Sequence, residues 1–541
     1  MLATWGGGQL FAFSGLDGRT DYETGIVART AKDGRAGIEI MLPARAMVSF
    51  DEAPPVEADM TGDTLRARTR AGETRMVFAD ARHLVVDGPC RLPDLPAGLR
   101  CATKGTRTLI AGGETVDESL LDADLDLLFA ARRSWLAGHE VALQSLNDAR
   151  QGTTRKCLSV MKTQVCSPQG RLRHRWTTPD RWPHRNIWLW DSAFHAIGWR
   201  HVDPALAREM LLAVLDTQQP DGRIPISATP VAHGMSSYTQ PPVLTLAASL
   251  VDAAQPDEAW LSRVYPDLCR YIEWDLAHRD SDGAGLAEWA IEGDPGCRSG
   301  ESGADNSSRF DSATQLDAPD FNAMLALEAE LLGRFAERLE KPADAAKWRE
   351  IHVQLCSLMN DRLWSEEHGI YMDAAAGTRE HTGVLSCAGF MPLICGAATP
   401  AQAARLVEHL NDPATFGRPL PVPTIAPATC PEYAKDMWRG PAWVNINWLL
   451  DYGLRRYGLN GEADRLAALT CAAIERSYEE HGCIFEYYDD EGVRPSPELL
   501  RKGSCDPDQW IHQVIHDYGW SATLYVDWVM RGTMDMEFIY Q

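Results

Sequence analysis

The apolar pattern of this chain changes period once, near residue 110, and that change limits the folds open to it. Before it come short apolar runs: Leu10–Phe13, Gly25–Ala28, Gly37–Leu42, Ala46–Phe50, Thr64–Arg68, Arg75–Phe78 and His83–Val86. Turn pairs such as Asp17-Gly18 and Asp33-Gly34 part them, and a Pro-rich stretch from Pro89 to Pro96 closes the series. Short strands joined by such turns predict a small antiparallel sandwich or barrel. From Asp117 the period becomes helical. Amphipathic runs follow near 191–201, 204–217, 242–254, 258–278, 319–338, 342–363, 383–393, 400–410, 443–457, 461–479 and 518–531. Roughly a dozen helices with almost no strand between them, joined by alternately short and long linkers, fit a mainly α toroid of six inner and six outer helices. An open solenoid of helix pairs fits the same pattern. The division expected is an N-terminal β domain over 1–110 and a helical catalytic domain over 111–541.

Length and charge narrow the function. A chain of 541 residues exceeds one compact core of ordinary size. A net charge of −24 argues against nucleic acid, anionic membrane and polyanionic partners, and favours a neutral or small substrate. No apolar run is long enough to span a bilayer. Met1 to Gly8 has neither a basic n-region nor an apolar h-region, so no secretion signal is expected. Thirteen scattered cysteines without a C-x-x-C pair fit a reducing, cytoplasmic setting. The sequence does not fix an oligomeric state.

The chemistry concentrates in loops. Ser299–Asp311 places Glu301, Asp305 and Asp311 with Asn306, Arg309 and several hydroxyls around Gly300 and Gly303. A second carboxylate lies far downstream in Phe485-Glu486-Tyr487-Tyr488-Asp489. Two separate carboxylates among aromatic rings are what glycoside hydrolysis needs: an acid, a base and flat faces for sugar. Asp305 is the candidate general acid, with Glu301 four residues earlier as a like charge that would keep it protonated. Arg309 would oppose that effect and is assigned to sugar hydroxyls. Glu486 is the candidate general base. Trp188 and Trp190 precede a helix start at which Asp191 and Ser192 either cap or line a site. Pro220–Gly222 is a turn, with Gln219 and Arg223 free to point inward. Asp436–Asn447 crowds Trp438, Arg439, Trp443 and Asn445 onto one rim. His512 and His516 are four apart, yet nothing completes a ligand set, so no metal is expected. A nucleophile elbow, a phosphate loop and a dinucleotide fingerprint are missing, so no cofactor is expected.

These blocks, in this order, resemble glycoside hydrolase family 63 and its trehalase relatives. The resemblance lies in Trp188–Ala196, Gln219–Gly222, Glu301–Arg309, Trp438–Trp448, Phe485–Tyr488 and His516–Ala522, and covers roughly residues 125 to 535. It looks closest to the bacterial branch of mannosylglycerate and glucosylglycerate hydrolases. It implies an (α/α)6 barrel and an inverting mechanism, with Asp305 as acid and Glu486 as base. It places Trp190, Asp191, Gln219, Arg309, Trp438, Arg439 and Trp443 around the sugar. The β segment is absent from the minimal hydrolases of that branch. Ala304 and Ser308 stand where a bulkier residue and Pro are more usual. The expected activity is an exo-acting, inverting α-glycosidase on a small glucoside, mannoside or short oligosaccharide. An inverting phosphorylase and a non-catalytic sugar binder are the rival readings.

Overall fold

The computed structural model describes residues 5–231, 234–312, 314–506 and 509–531. Its first part is two antiparallel sheets. One is β1 (Leu10–Ala12), β2 (Val27–Thr30), β3 (Ala36–Leu42) and β4 (Ala46–Asp51), in that order. The other is β5 (Glu57–Met60), β6 (Thr64–Thr69), β7 (Gly72–Asp80), β8 (His83–Asp87), β9 (Leu99–Lys104) and β10 (Arg107–Gly112), with β10 between β8 and β9. Phe11, Ile38 and Val48 share one buried cluster with Leu65, Phe78 and Leu84, so the sheets pack face to face. β5, β9 and β10 add to the strands expected from sequence. β5 and β9 are edge strands, β9 with four exposed positions and β5 opening on the exposed Glu57, and edges are kept polar to discourage further pairing.

The helices are α1 (Leu125–Ala137), α2 (Glu140–Leu143), α3 (Asp148–Gln164), α4 (Leu189–Trp199), α5 (Pro204–Leu215), α6 (Leu244–Ala254) and α7 (Glu258–His278). Then come α8 (Pro319–Arg338), α9 (Pro342–Arg362), a 3-10 helix at Cys387–Leu393, α10 (Pro400–Asn411), α11 (Val444–Arg456), α12 (Asn460–His481) and α13 (Gly519–Met530). Local chemistry sets several ends. Asp203 caps α5 through the Leu206 N–H, with Pro204 in the first turn. Thr399 and Gln402 form a capping box on α10. α12 stops at Gly482, whose φ of 69° is left-handed.

α4, α6, α8, the Cys387–Leu393 turn, α11 and α13 touch in that order, and α13 returns to α4, closing a ring. Every residue of α4 is buried, whereas α9 buries only Ala345, Trp348, Leu355 and Met359. A helix covered all round is inside, and one with a single apolar stripe is outside. α3, α5, α7, α9 and α12 pack on ring members in that outer position. The result is a helical toroid. α1 is not part of it: Leu125 and Phe129 pack with Val77, Val85 and Leu109 on the second sheet. No helix among the described residues is long and apolar enough to cross a membrane.

The sheets brace loops of the toroid. Arg29, almost fully buried, donates to the carbonyls of His516, Asp180 and Trp182. Leu10 N–H donates to Asp517, which also pairs with Lys156 at 2.7 Å. Those loops carry His184 and Tyr518, and both face the cavity described next.

Candidate active site

Three inner helices begin in the same way. A two-residue strand runs straight into the helix and pairs with a loop from elsewhere in the chain. Ile187–Trp188 pairs with Ser227–Ala228 before α4, Leu316–Asp317 with Ala374–Ala375 before α8, and Ala442–Trp443 with Tyr487–Tyr488 before α11. The last register sets Trp443 opposite Tyr487 and so places Glu486 beside the ring mouth. Glu486 is also held from the other side: its N–H donates to the Ile515 carbonyl at 3.0 Å, and its carbonyl accepts from Trp520 Nε1 at 3.3 Å.

A cavity of about 650 Å³ opens there. Trp188, Trp190, Asp191, Asp305, Trp438, Trp443 and Glu486 line it, from four separate sequence blocks. The Trp rings form one wall. Trp438 stacks on Trp443 at 3.7 Å between centroids, and Trp520 meets Trp190 and Trp443 edge-on at 5.3 and 5.6 Å. Trp188 Nε1 and Trp438 Nε1 are buried and meet no acceptor among the described residues. Gly303, at φ 71°, lets the Asp305 loop lie flat on Trp190: a Cβ there would sit 2.4 Å from the ring.

The two carboxylates differ in their partners. Glu486 is buried against Arg501, whose Nε lies 3.2 Å from Oε2. Asp305 is more open and pairs with Lys502 Nζ at 2.8 Å. Asp191 has no such Arg or Lys partner among the described residues. The α4 start at Trp188 has no side-chain cap, so Asp191 is not a capping residue; it accepts from Tyr518 Oη at 3.1 Å. Burial pushes its carboxyl up to about 7 against the pull of His184 and the Tyr518 hydrogen bond, with the charges of Glu486 and Asp180 adding to the rise.

That shift has a measurable sign. An unfolded aspartate ionises near pH 4. From there to about 7 the unfolded chain has released a proton that the folded chain keeps, so this group costs stability as pH rises through that window. Asp191→Asn cannot ionise. Its stability relative to wild type is therefore expected to increase between pH 5 and pH 8, by on the order of 2–4 kcal/mol, while sugar binding weakens. Calorimetric unfolding at both pH values checks this; a difference that does not change with pH would show that Asp191 does not titrate as described.

Of the remaining sequence candidates, His512 alone is on the cavity wall. Glu301 is fully buried and chelated by Arg279, at 2.7 and 2.8 Å, with the Thr239 and Ala290 N–H groups completing its shell. Its charge is neutralised there, which corrects the expectation that it acts on Asp305. Arg309 is buried between Asp320 and Asp373, which take its guanidinium at 2.6–3.0 Å, and so it meets acids rather than sugar hydroxyls. Asn306 accepts from the Trp438 N–H at 3.0 Å and ties the Asp305 loop to the Trp438 loop. Arg439 pairs with Asp311 across the same junction. Gln219 reaches the Thr217 carbonyl and Met235 Sδ, so it supports the rim through Met235. Asn445 is buried beneath the wall. His512 ends a 3-10 turn and lines the cavity, whereas His516 turns to the Gly7 carbonyl, so the pair does not share a helix face.

Sequence reasoning missed His184, Gln240, Arg501, Lys502, Tyr518 and Trp520, all of which line the cavity. Arg501-Lys502 adjoins a Gly in a polar loop downstream of Glu486, a weak signal of its own.

A Trp-walled cavity on a helical toroid, with one carboxylate paired to Lys and another to Arg, is the site of a glycoside hydrolase. The model of the mannosylglycerate hydrolase MGH1-like glycoside hydrolase domain matches residues 184–521, and the chain belongs to that family. A mannosylglycerate hydrolase of Thermus thermophilus is 27% identical over 407 residues, covering 59% of this chain and 92% of that protein. The crystal structure of a family 63 mannosylglycerate hydrolase from Thermus thermophilus, in complex with glucose, matches with a TM-score of 0.57 at 25% identity. It covers 70% of this chain and 100% of that one. A bacterial glucoamylase, complexed with acarbose, matches at a TM-score of 0.60 over 100% of this chain and 97% of its own, and at 10% identity this shows shared fold alone.

Proposed function

We propose that this glycoside hydrolase is an exo-acting, inverting α-glycosidase of a small α-glucoside or α-mannoside, and that its substrate is a glycosylated glycerate like that named for its relatives. The observation that carries the reading is the pair Asp305 and Glu486: two loops, one cavity, one carboxylate buried with Arg501 and the other part-exposed with Lys502. Glu486, buried with Arg501, takes a proton from a water as its oxygen attacks the anomeric carbon. Asp305 gives a proton to the glycosidic oxygen as the bond to that carbon breaks. The Trp wall takes the flat face of the sugar, and Asp191 with Gln240 takes hydroxyls. Inversion needs the two carboxyl groups roughly 6.5–9.5 Å apart, with a water between Glu486 and the sugar.

The same reading assigns residues 1–110 to a β domain and 111–541 to an (α/α)6 barrel. The closed ring of six elements, with α5, α7, α9 and α12 following the inner helices they cover and α3 packing on α13, supports it. Phe129 on the second sheet makes α1 a connector between the two parts.

Stereochemistry tests the mechanism. Proton NMR of the first-formed sugar from an α-glycoside is expected to show the β-anomer. Appearance of the α-anomer would make Glu486 a nucleophile and set the inverting reading aside.

A further inference from the structure

A group of carboxylates stands apart from the cavity, in the loop that follows α7. Asp280, Asp282 and Glu288 each bring an oxygen to within 4.8 Å of the others. Among the described residues no Arg, Lys or His forms a salt bridge with any of them. N–H groups aim them instead. The Ala284 N–H is shared by Asp280 and Asp282 at 2.9 and 2.8 Å. The Gly285 N–H donates to Asp280 and the Gly377 N–H to Asp282, each at 2.9 Å. Glu288 accepts from the Ser281 N–H at 3.2 Å and from Gln315 Nε2 at 3.3 Å. Every carboxylate oxygen of the three thus takes one N–H and keeps a lone pair to spare.

An independent feature at the same place is Asp317, just before α8. It is 1% exposed, and neither of its carboxylate oxygens meets a donor among the described residues. Asp317 pairs with Glu288 across an antiparallel bridge. Residues directly opposite in such a pair send their side chains to the same face, and like charges there repel. Glu288 is itself 1% exposed, so the two carboxyls stand side by side out of water. Burial pushes Asp317 up to about 7, and the charges of Asp282, Glu288 and Asp280 add to the rise against the pull of Arg362. Arg362 gives its Nη1 to the Ala284 carbonyl at 2.5 Å. An unpartnered buried carboxylate facing three others is costly, and a cation among them removes the cost.

We propose that Asp280, Asp282 and Glu288, with Asp317 facing them from beside Glu288, bind a calcium ion. Donor type and spacing select the ion. Every donor is an oxygen and all four groups are carboxylates, the set of a hard cation. Calcium–oxygen distances run from 2.3 to 2.6 Å, so ligands on opposite sides of the ion lie up to about 4.6–5.2 Å apart, and the 4.8 Å span fits. Magnesium demands a tighter octahedron and keeps several waters, so it matches less well. Asp282 is exposed and gives the ion a way in. The role is to fasten. The ion joins the loop after α7 to the strand entering α8 and, through the Gly377 N–H, to the turn after Ala374–Ala375. These segments carry the anchors of the Asp305 loop: Arg279 precedes Asp280 and holds Glu301, while Asp320 and Asp373 hold Arg309. The expectation that no metal binds rests on His512 and His516; this site uses carboxylates instead and takes no part in the chemistry at the cavity.

The test uses the full chain, stripped with EGTA and returned to metal-free, mildly alkaline buffer. Millimolar calcium chloride is expected to raise its melting temperature by about 3–5 °C, and equilibrium dialysis is expected to find one calcium per chain. Magnesium chloride at the same concentration is expected to give a smaller rise. Asp282→Asn, at an exposed position, and Asp317→Asn, which removes a buried charge, are each expected to fold without calcium and to bind it about tenfold or more weakly, since affinity follows the count of charged ligands. Without calcium Asp317→Asn is expected to melt at or above wild type, and with calcium below it. A wild type that neither binds calcium nor melts higher with it overturns the proposal. An equal response to magnesium overturns the choice of calcium. A calcium response undiminished in both variants moves the ion away from these residues and overturns the site. No sugar release enters the test, so its outcome is independent of the substrate assigned above.

Discussion

Asp305→Asn and Glu486→Gln are each expected to fold and to lose about 10²–10⁴-fold in turnover, the usual worth of a positioned proton donor or acceptor. The two substitutions keep shape and remove one titratable group, so a loss reports chemistry. They are not equivalent for stability. Asp305 is part-exposed beside Lys502, so its replacement leaves a cation that water can reach. Glu486 is buried with Arg501, so Glu486→Gln strands a buried guanidinium, and the variant is expected to melt lower than Asp305→Asn. Their roles separate on an α-glycosyl fluoride. Fluoride leaves without protonation, so Asp305→Asn is expected to recover most activity on it, whereas Glu486→Gln still lacks the group that activates water. Near wild-type kcat for either variant on an ordinary glycoside would remove that residue from the mechanism. Recovery by both on the fluoride would show that Glu486 does not serve the water.

Much of the cavity was legible because its makers are residue types that loops do not otherwise collect. Trp188, Trp190, Trp438 and Trp443 stand at or just before helix starts, beside Asp, Arg and Asn, and all four reach the wall. The strand pairing that brings Trp443 to Tyr487 joins residues far apart in sequence and leaves no local mark. For the same reason Lys502, Tyr518 and Trp520 could be found only in space. The error over Glu301 and Arg309 was of one kind: a buried ion cluster and a sugar-binding cluster use the same residues. What decides between them is where the partners come from. Arg279 lies at the end of α7, and Asp320 and Asp373 lie outside the Glu301–Arg309 motif. α3 escapes a reading by apolar period because polar and apolar residues share its buried face. Thr153, Thr154, Ser159, Lys162, Thr163 and Gln164 are buried alongside Cys157, Leu158, Val160 and Met161, with Lys162 paired to Asp17 and Asp63 from the β region, so the apolar positions cover only a short part of the helix.

Arg309→Met is expected to destabilise the fold by about 3–5 kcal/mol, since it strands two buried carboxylates that now share one cation. The motif that contains Arg309 also contains Asp305, so the competing expectation is a binding defect. The contacts argue otherwise. Both edges of the guanidinium are bidentate, one to Asp320 at the start of α8 and one to Asp373, and with Nε, Nη1 and Nη2 all engaged the fork is turned from the cavity. Arg309 therefore fastens the end of the Asp305 loop to the toroid, and Asn306 fastens its middle to Trp438. A loss at the fastening lowers the melting temperature first and reaches catalysis only through the position of Asp305. Arg309→Lys keeps the charge but not the fork, so it is expected to fall between wild type and Met in stability. The measurement is chemical unfolding alongside KM of the folded fraction. A large fall in stability with KM nearly unchanged fits the anchoring role; a KM raised tenfold at unchanged stability would place Arg309 on the sugar after all.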